Sequence, residues 1–115
     1  MTITTEELAG RLGDPGLLVL DVRTAGEHAG TSGYPCDSRQ GHIPGSRNVE
    51  VDDIVGRSPE EIRALIGEPE AATEIVCYCH SGQRSAIAVA ALREAGYEAR
   101  NYEGSWHEWS RRPES

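Results

Sequence analysis

Residues 74–90 constrain the fold more than any other stretch. Glu74-Ile75-Val76-Cys77-Tyr78 is apolar and strand-like, it runs into Cys79, and an alanine-rich helical pattern begins at Ser85. Between them lies a short polar loop, His80-Ser81-Gly82-Gln83-Arg84. A strand, a tight loop and a helix in that order put the Cys79 thiol at the carboxyl end of the strand, facing the amino terminus of the helix. The loop amides and the helix dipole both favour an anion there. The thiol is therefore expected to have a lowered pKa and to react near neutral pH. The chain reads as an enzyme built around one nucleophilic cysteine.

With 115 residues there is room for one domain with one modest core, expected to span 1–115 with a tail that frays from about residue 110. There is no phenylalanine, so aliphatic side chains, two Trp and four Tyr must fill that core. The formal charge of −8 argues against nucleic acid and anionic membrane as partners. An anionic substrate would then need a local positive site, which Arg84, His80 and the loop amides are placed to supply. No apolar run approaches a membrane span, and the amino terminus lacks the basic and apolar regions of a signal peptide. Of the three cysteines, Cys77 and Cys79 are too close in sequence to pair with each other. A reduced, cytoplasmic protein is expected.

Elsewhere the pattern alternates. Thr4 or Thr5 starts a helix over Glu6 to Leu12, and Gly13-Asp14-Pro15-Gly16 turns out of it. Leu17-Leu18-Val19-Leu20 is a continuous apolar run that suits a strand buried on both faces, and a short helix over Thr24 to His28 follows. Gly30 to Gly45 reads as an irregular surface loop, and Asn48 to Val51 as a short strand. Ser58-Pro59-Glu60-Glu61 opens a helix with Ile62, Leu65 and Ile66 on one face. After the strand into Cys79, a helix from Ser85 to Ala95 ends at Gly96; Tyr97 to Tyr102 is a weaker strand and Gly104 to Trp109 a last helical turn. Strands alternating with helices predict an α/β fold whose parallel sheet is covered on both sides.

Four separated motifs give the chain a family resemblance. They are Leu20-Asp21-Val22-Arg23 with Glu27; Gly41-His42-Ile43-Pro44-Gly45-Ser46-Arg47-Asn48; Tyr78-Cys79 with Gly82, Arg84 and Ser85; and Tyr102, Gly104-Ser105-Trp106 and Glu108-Trp109. In this order they resemble the rhodanese domain of the sulfurtransferases, as a single-domain, three-layer fold with a central parallel sheet flanked by helices. The resemblance implies that Cys79 takes the outer sulfur of a donor such as thiosulfate, becomes a persulfide, and passes the sulfur to a thiophilic acceptor in a ping-pong cycle. Cyanide, a thiol, thioredoxin or a sulfur-carrier protein could serve as acceptor. No cofactor is implied, and a monomer suffices.

Within that scheme the amides of His80, Ser81, Gly82, Gln83, Arg84 and Ser85 would cradle the persulfide. Arg84 would hold an oxyanion or close the loop, two roles that need not exclude each other. Gly82 would permit the tight curl. His80 stands where a permanently charged residue is common in the family, and the long segment Gly30 to Gln40 carries Cys36. Cys36 could resolve the persulfide or be an uninvolved thiol. Arg39 could reach the donor or be a solvated arginine. Trp106 could wall the pocket or pack the core. Cys77 reads as a packing residue, Asp21 as an organiser of the strand end, and His42 as an organiser of its own turn. A metal site from Cys77, Cys79 and His80 lacks chelating spacing.

Three other functions compete. Transfer from 3-mercaptopyruvate uses the same chemistry, although the polar, partly basic loop favours an inorganic oxyanion. A cysteine phosphatase or arsenate reductase would hold Cys and Arg with five residues between them, where this chain has four. A persulfide-carrier module acting on a protein partner would show slow turnover with small acceptors.

Overall fold

Each strand here is short, and the two central ones divide their residues between two cores. The computed structural model describes residues 3–67 and 74–112. Four parallel strands, β1 (Leu17–Asp21), β2 (Arg47–Asn48), β3 (Glu74–Tyr78) and β4 (Ala99–Asn101), form one sheet in the order β2-β1-β3-β4. In β1 and β3 the side-chain period of two sends Leu20, Ile75 and Cys77 to one face and Val19, Val76 and Tyr78 to the other. The first face packs against α3 (Pro59–Ile66) and α4 (Gln83–Glu94) through Ile62, Ile66, Ala88, Val89 and Leu92. The second packs against α1 (Thr5–Arg11) and α5 (Ser105–Trp109) through Leu8, Trp106 and Trp109. Burial of β1 on both sides explains its unbroken apolar run. The architecture is the three-layer α/β fold with a central parallel sheet.

Helix boundaries follow their caps. Thr4, Thr24 and Ser58 each accept from the backbone amide three residues on, while Glu7, Glu27 and Glu61 return the bond, so α1, α2 (Ala25–Ala29) and α3 all open on capping boxes. The first helix thus begins at Thr5 and not Glu6. At the far end of α4, Gly96 adopts φ +96 while the amides of Gly96 and Tyr97 donate to Arg93 and Leu92 carbonyls, a Schellman close.

Three expectations are corrected. α4 starts at Gln83, two residues before Ser85, because Gly82 in a left-handed conformation serves as its N-cap. The strand expected over Asn48 to Val51 is reduced to Arg47–Asn48: Val49 and Val51 still donate to Asp21 and Val22 carbonyls, but a 3-10 turn starts at Val51. Leu65 lies exposed while Ile62 and Ile66 are buried, because only the i,i+4 pair points straight at the sheet. Of the expected frayed tail, Ser110 to Arg112 form a turn with Ser110 buried, and 113–115 fall outside the described residues.

Candidate active site

Cys79 is the first residue past β3, and its backbone is pinned from below. Its amide donates to Ser105 Oγ at 3.1 Å, and its carbonyl accepts from the Trp106 amide at 2.9 Å. Ser105, the described non-glycine residue with positive φ, at +53, turns its hydroxyl under the cysteine and donates in turn to the Tyr102 carbonyl. The next carbonyl, of His80, accepts from the His107 amide at 3.0 Å.

From above, the chain curls round the sulfur. The Gly82 amide donates to Cys79 Sγ at 3.1 Å, and the Ser85 hydroxyl lies 3.4 Å from it. That hydroxyl also lies 2.6 Å from Asn101 Oδ1, while Asn101 Nδ2 donates to the Gly82 carbonyl, so β4 holds both ends of the curl. At Gly82 only glycine fits: φ is +94, and a Cβ would stand 2.8 Å from the Glu103 carbonyl oxygen. Burial raises the thiol's pKa, but hydrogen bonds from the Ser85 hydroxyl and from the amides of Ser85, Gly82 and Ser81 outweigh it, and the net shift is downward. Ser81 and Gln83 are exposed on the outside of the curl.

The Arg84 guanidinium forms a bidentate pair, Nη1 to Glu27 Oε1 at 2.9 Å and Nη2 to Oε2 at 3.0 Å. Burial opposes ionisation of Glu27, yet Arg84 and the Thr24 cap together bring its pKa down to about 2. Glu27 therefore caps the start of α2 and anchors the loop with one carboxylate. Of the two roles left to Arg84, this geometry is the loop-closing one. The pair flanks a cavity of about 340 Å³ lined by Arg23, Thr24, Val51, Val55, Arg84 and Ile87.

His80 turns toward the long loop. Its Nε2 lies 2.9 Å from Asp37 Oδ1 and 4.0 Å from Cys36 Sγ, and its ring stacks on Tyr34 at 3.8 Å. His107 from α5 reaches the same Asp37 oxygen at 3.0 Å. Arg39 donates to the Arg112 carbonyl and lies over Trp106, lining a separate cavity of about 360 Å³ with Gln40, Trp109 and Arg112. Trp106 is buried, donates to the Arg39 carbonyl, and both packs the core and walls that cavity. Cys77 is fully buried, its pKa pushed up to about 12 mainly by desolvation, as befits a packing residue.

Asp21 organises the strand end as read from the sequence. Fully buried, it accepts from the Arg23 amide and guanidinium and from Tyr78 Oη, and pairs with His28 Nδ1. His42 corrects the expectation of a role within its own turn: Nδ1 bonds the His28 carbonyl and the two rings stack at 3.8 Å, tying the long loop to the end of α2. Ser105, Asn101, Asp37 and His107 were not legible as site residues. Their only sequence signal is membership of the closing motif for Ser105, and none for the rest.

The family described as "Rhodanese-like domain" matches residues 4–112. A thiosulfate sulfurtransferase of Pseudomonas aeruginosa is 33% identical, covering 97% of this chain and 44% of the relative. The sulfur carrier protein TtuD of Thermus thermophilus is 37% identical over 79% of this chain and 37% of its own length. The chain thus spans less than half the length of these curated relatives. The human single-domain sulfurtransferase TSTD1 superposes with a TM-score of 0.70 at 28% identity, covering 98% of this chain and 97% of that one. Among the described residues, no helix is long and apolar enough to cross a membrane.

Proposed function

The chain belongs to the rhodanese-like family, and on that premise we propose that it is a sulfurtransferase moving sulfane sulfur from thiosulfate to a thiophilic acceptor, cyanide or a thiol, through a persulfide on Cys79. The carrying observation is the curl of donors round Sγ. The Cys79 thiolate attacks the outer sulfur of thiosulfate; a new S–S bond forms, and the old one breaks with its electron pair leaving on sulfite. Sulfite is a good leaving group, so no general acid is required. The amides of Ser81, Gly82 and Ser85 favour the anion on the cysteine and on the persulfide that replaces it. Attack by cyanide or a thiolate on the terminal sulfur then gives thiocyanate or a new persulfide and returns the Cys79 thiolate.

The same geometry supports a second reading. Both guanidinium arms of Arg84 rest on Glu27 and the His80 imidazole rests on Asp37, so the two basic side chains of the loop already have partners. A donor that needs no charged pocket, such as a protein-bound persulfide, suits such a site, and a persulfide carrier handing sulfur to thioredoxin or a sulfur-carrier protein is the alternative.

Intact mass separates the two. Reduced protein incubated with thiosulfate is expected to gain one sulfur, about 32 Da, in the wild type and not in Cys79→Ser. Cyanide or a thiol should then remove it. No gain with thiosulfate, followed by a gain with a persulfidated donor protein, would favour the carrier reading; a gain with 3-mercaptopyruvate alone would reassign the donor.

A further inference from the structure

The long loop, the catalytic loop and α5 bring four side-chain atoms able to ligate a metal to one point. Cys36 Sγ, an Asp37 carboxylate oxygen and ring nitrogens of His80 and His107 all lie within 4.8 Å of one another. They come from positions 36, 37, 80 and 107, so no chelating spacing announces them in the sequence. We propose that Cys36, Asp37, His80 and His107 form a tetrahedral binding site for a thiophilic divalent cation of the zinc class.

The donor set selects the ion. One thiolate, two imidazoles and one carboxylate suit zinc or cobalt, whereas magnesium and calcium take oxygen ligands alone. The spacing fits as well. Metal–ligand bonds of about 2.0–2.3 Å in a tetrahedron separate neighbouring ligand atoms by roughly 3.3–3.8 Å. Here Asp37 Oδ1 lies 2.9 Å from His80 Nε2 and 3.0 Å from His107 Nδ1, and Cys36 Sγ lies 4.0 Å from His80 Nε2. Of these three pairs, the two short ones need to open and the long one to close by about a few tenths of an ångström to reach tetrahedral spacing.

The surroundings hold these groups in place. The Asp37 side chain is 1% exposed. Tyr34 stacks on His80, and the His107 amide holds the His80 carbonyl. Exposed Cys36 leaves an entry path. On binding, the Cys36 thiol releases its proton to solvent, and each imidazole presents a lone pair at the facing nitrogen with its proton on the far one. The metal would clamp the long loop onto the residue next to Cys79, making the approach to the thiol dependent on metal occupancy.

The test is a titration of the reduced full-length chain, carrying Cys79→Ala, with cobalt(II) in the absence of oxygen. One equivalent is expected to produce the intense visible bands of tetrahedral cobalt and a thiolate charge-transfer band, both erased by zinc. Adding Cys36→Ser should remove the charge-transfer band, and His107→Ala should weaken binding roughly tenfold or more, each with an unchanged circular dichroism spectrum. Absence of a tetrahedral spectrum in the Cys79→Ala protein would overturn the proposal. So would a charge-transfer band that survives Cys36→Ser. Turnover plays no part in these readouts, so failure of the sulfur-transfer reading would leave them interpretable.

Discussion

Cys77 and Cys79 stand two residues apart, in the same hydrophobic cluster on the same face of the sheet, and burial disfavours the thiolate of each. Yet one thiol is driven up to about 12 and the other is lowered. The difference lies in what the backbone does around them. At Cys77 the strand is still paired on both sides, Leu20 and Asn101 standing opposite, so the neighbouring amides are committed to the sheet. Past Tyr78 the ladder ends, and the freed amides of Ser81, Gly82 and Ser85 turn toward sulfur. In this fold the end of a strand is what lowers a thiol's pKa, and a chain shift of one side-chain repeat separates such a thiol from one whose pKa is raised.

The largest effect should come from exchanging the two thiols' fates. Cys79→Ala is expected to abolish sulfur uptake in the intact-mass assay, while Cys77→Ala keeps it and loses only on the order of 1 kcal/mol of stability through lost packing, read by urea denaturation. Uptake surviving in Cys79→Ala would collapse the contrast. Next, Gly82→Ala removes the glycine on which the curl depends, driving a Cβ into the Glu103 carbonyl. The rate of persulfide formation should fall roughly a hundredfold, the scale of losing one anion-stabilising donor.

A third change probes the anchor of the loop. The Glu27 pKa is lowered from 4.5 to about 2, so the stability it adds is present in full above the unfolded value. It is lost as pH falls from about 4.5 through about 2, by a total on the order of 3 kcal/mol. Acid titrations of unfolding should show this slope in the wild type and not in Glu27→Gln. The smallest effect is expected for Ser85→Ala. Without the hydroxyl one of the bonds that lower the Cys79 pKa is lost, so the pKa rises, the pH midpoint of persulfide formation moves up and the rate near neutral pH falls. An unmoved midpoint would assign the lowered pKa to the amides alone.

Much of the fold was written locally. The caps at the starts of α1 and α3, the apolar run of β1 and the glycine closing α4 are all read within a few residues, which is why element order and layer count emerge from the pattern. The strand–loop–helix around Cys79 is local too, so the position of this cysteine at the strand end and the curl round it were legible. What escaped depends on distant contacts. Glu27 meets Arg84 across 57 residues, Asp37 meets His107 across 70, and Ser105 supports Cys79 across 26. No periodicity encodes such meetings. The shortened strand at Arg47–Asn48 belongs with these, since Val51 donates to the distant Val22 carbonyl just as the 3-10 turn begins.

The segment from Asn101 to His107 holds the site from beneath: Asn101 fixes Gly82 and Ser85, Ser105 and Trp106 hold the two ends of the Cys79 peptide, and His107 holds the next. Its consequence is one of timing. Until this late stretch docks, strand β3 and helix α4 can pair and pack, but nothing fixes the curl around sulfur, and Cys79 remains an ordinary thiol. Partly folded chains would thus pass through their most vulnerable stage with the Cys79 thiol still protonated like any other, and its lowered pKa would arrive together with the finished fold.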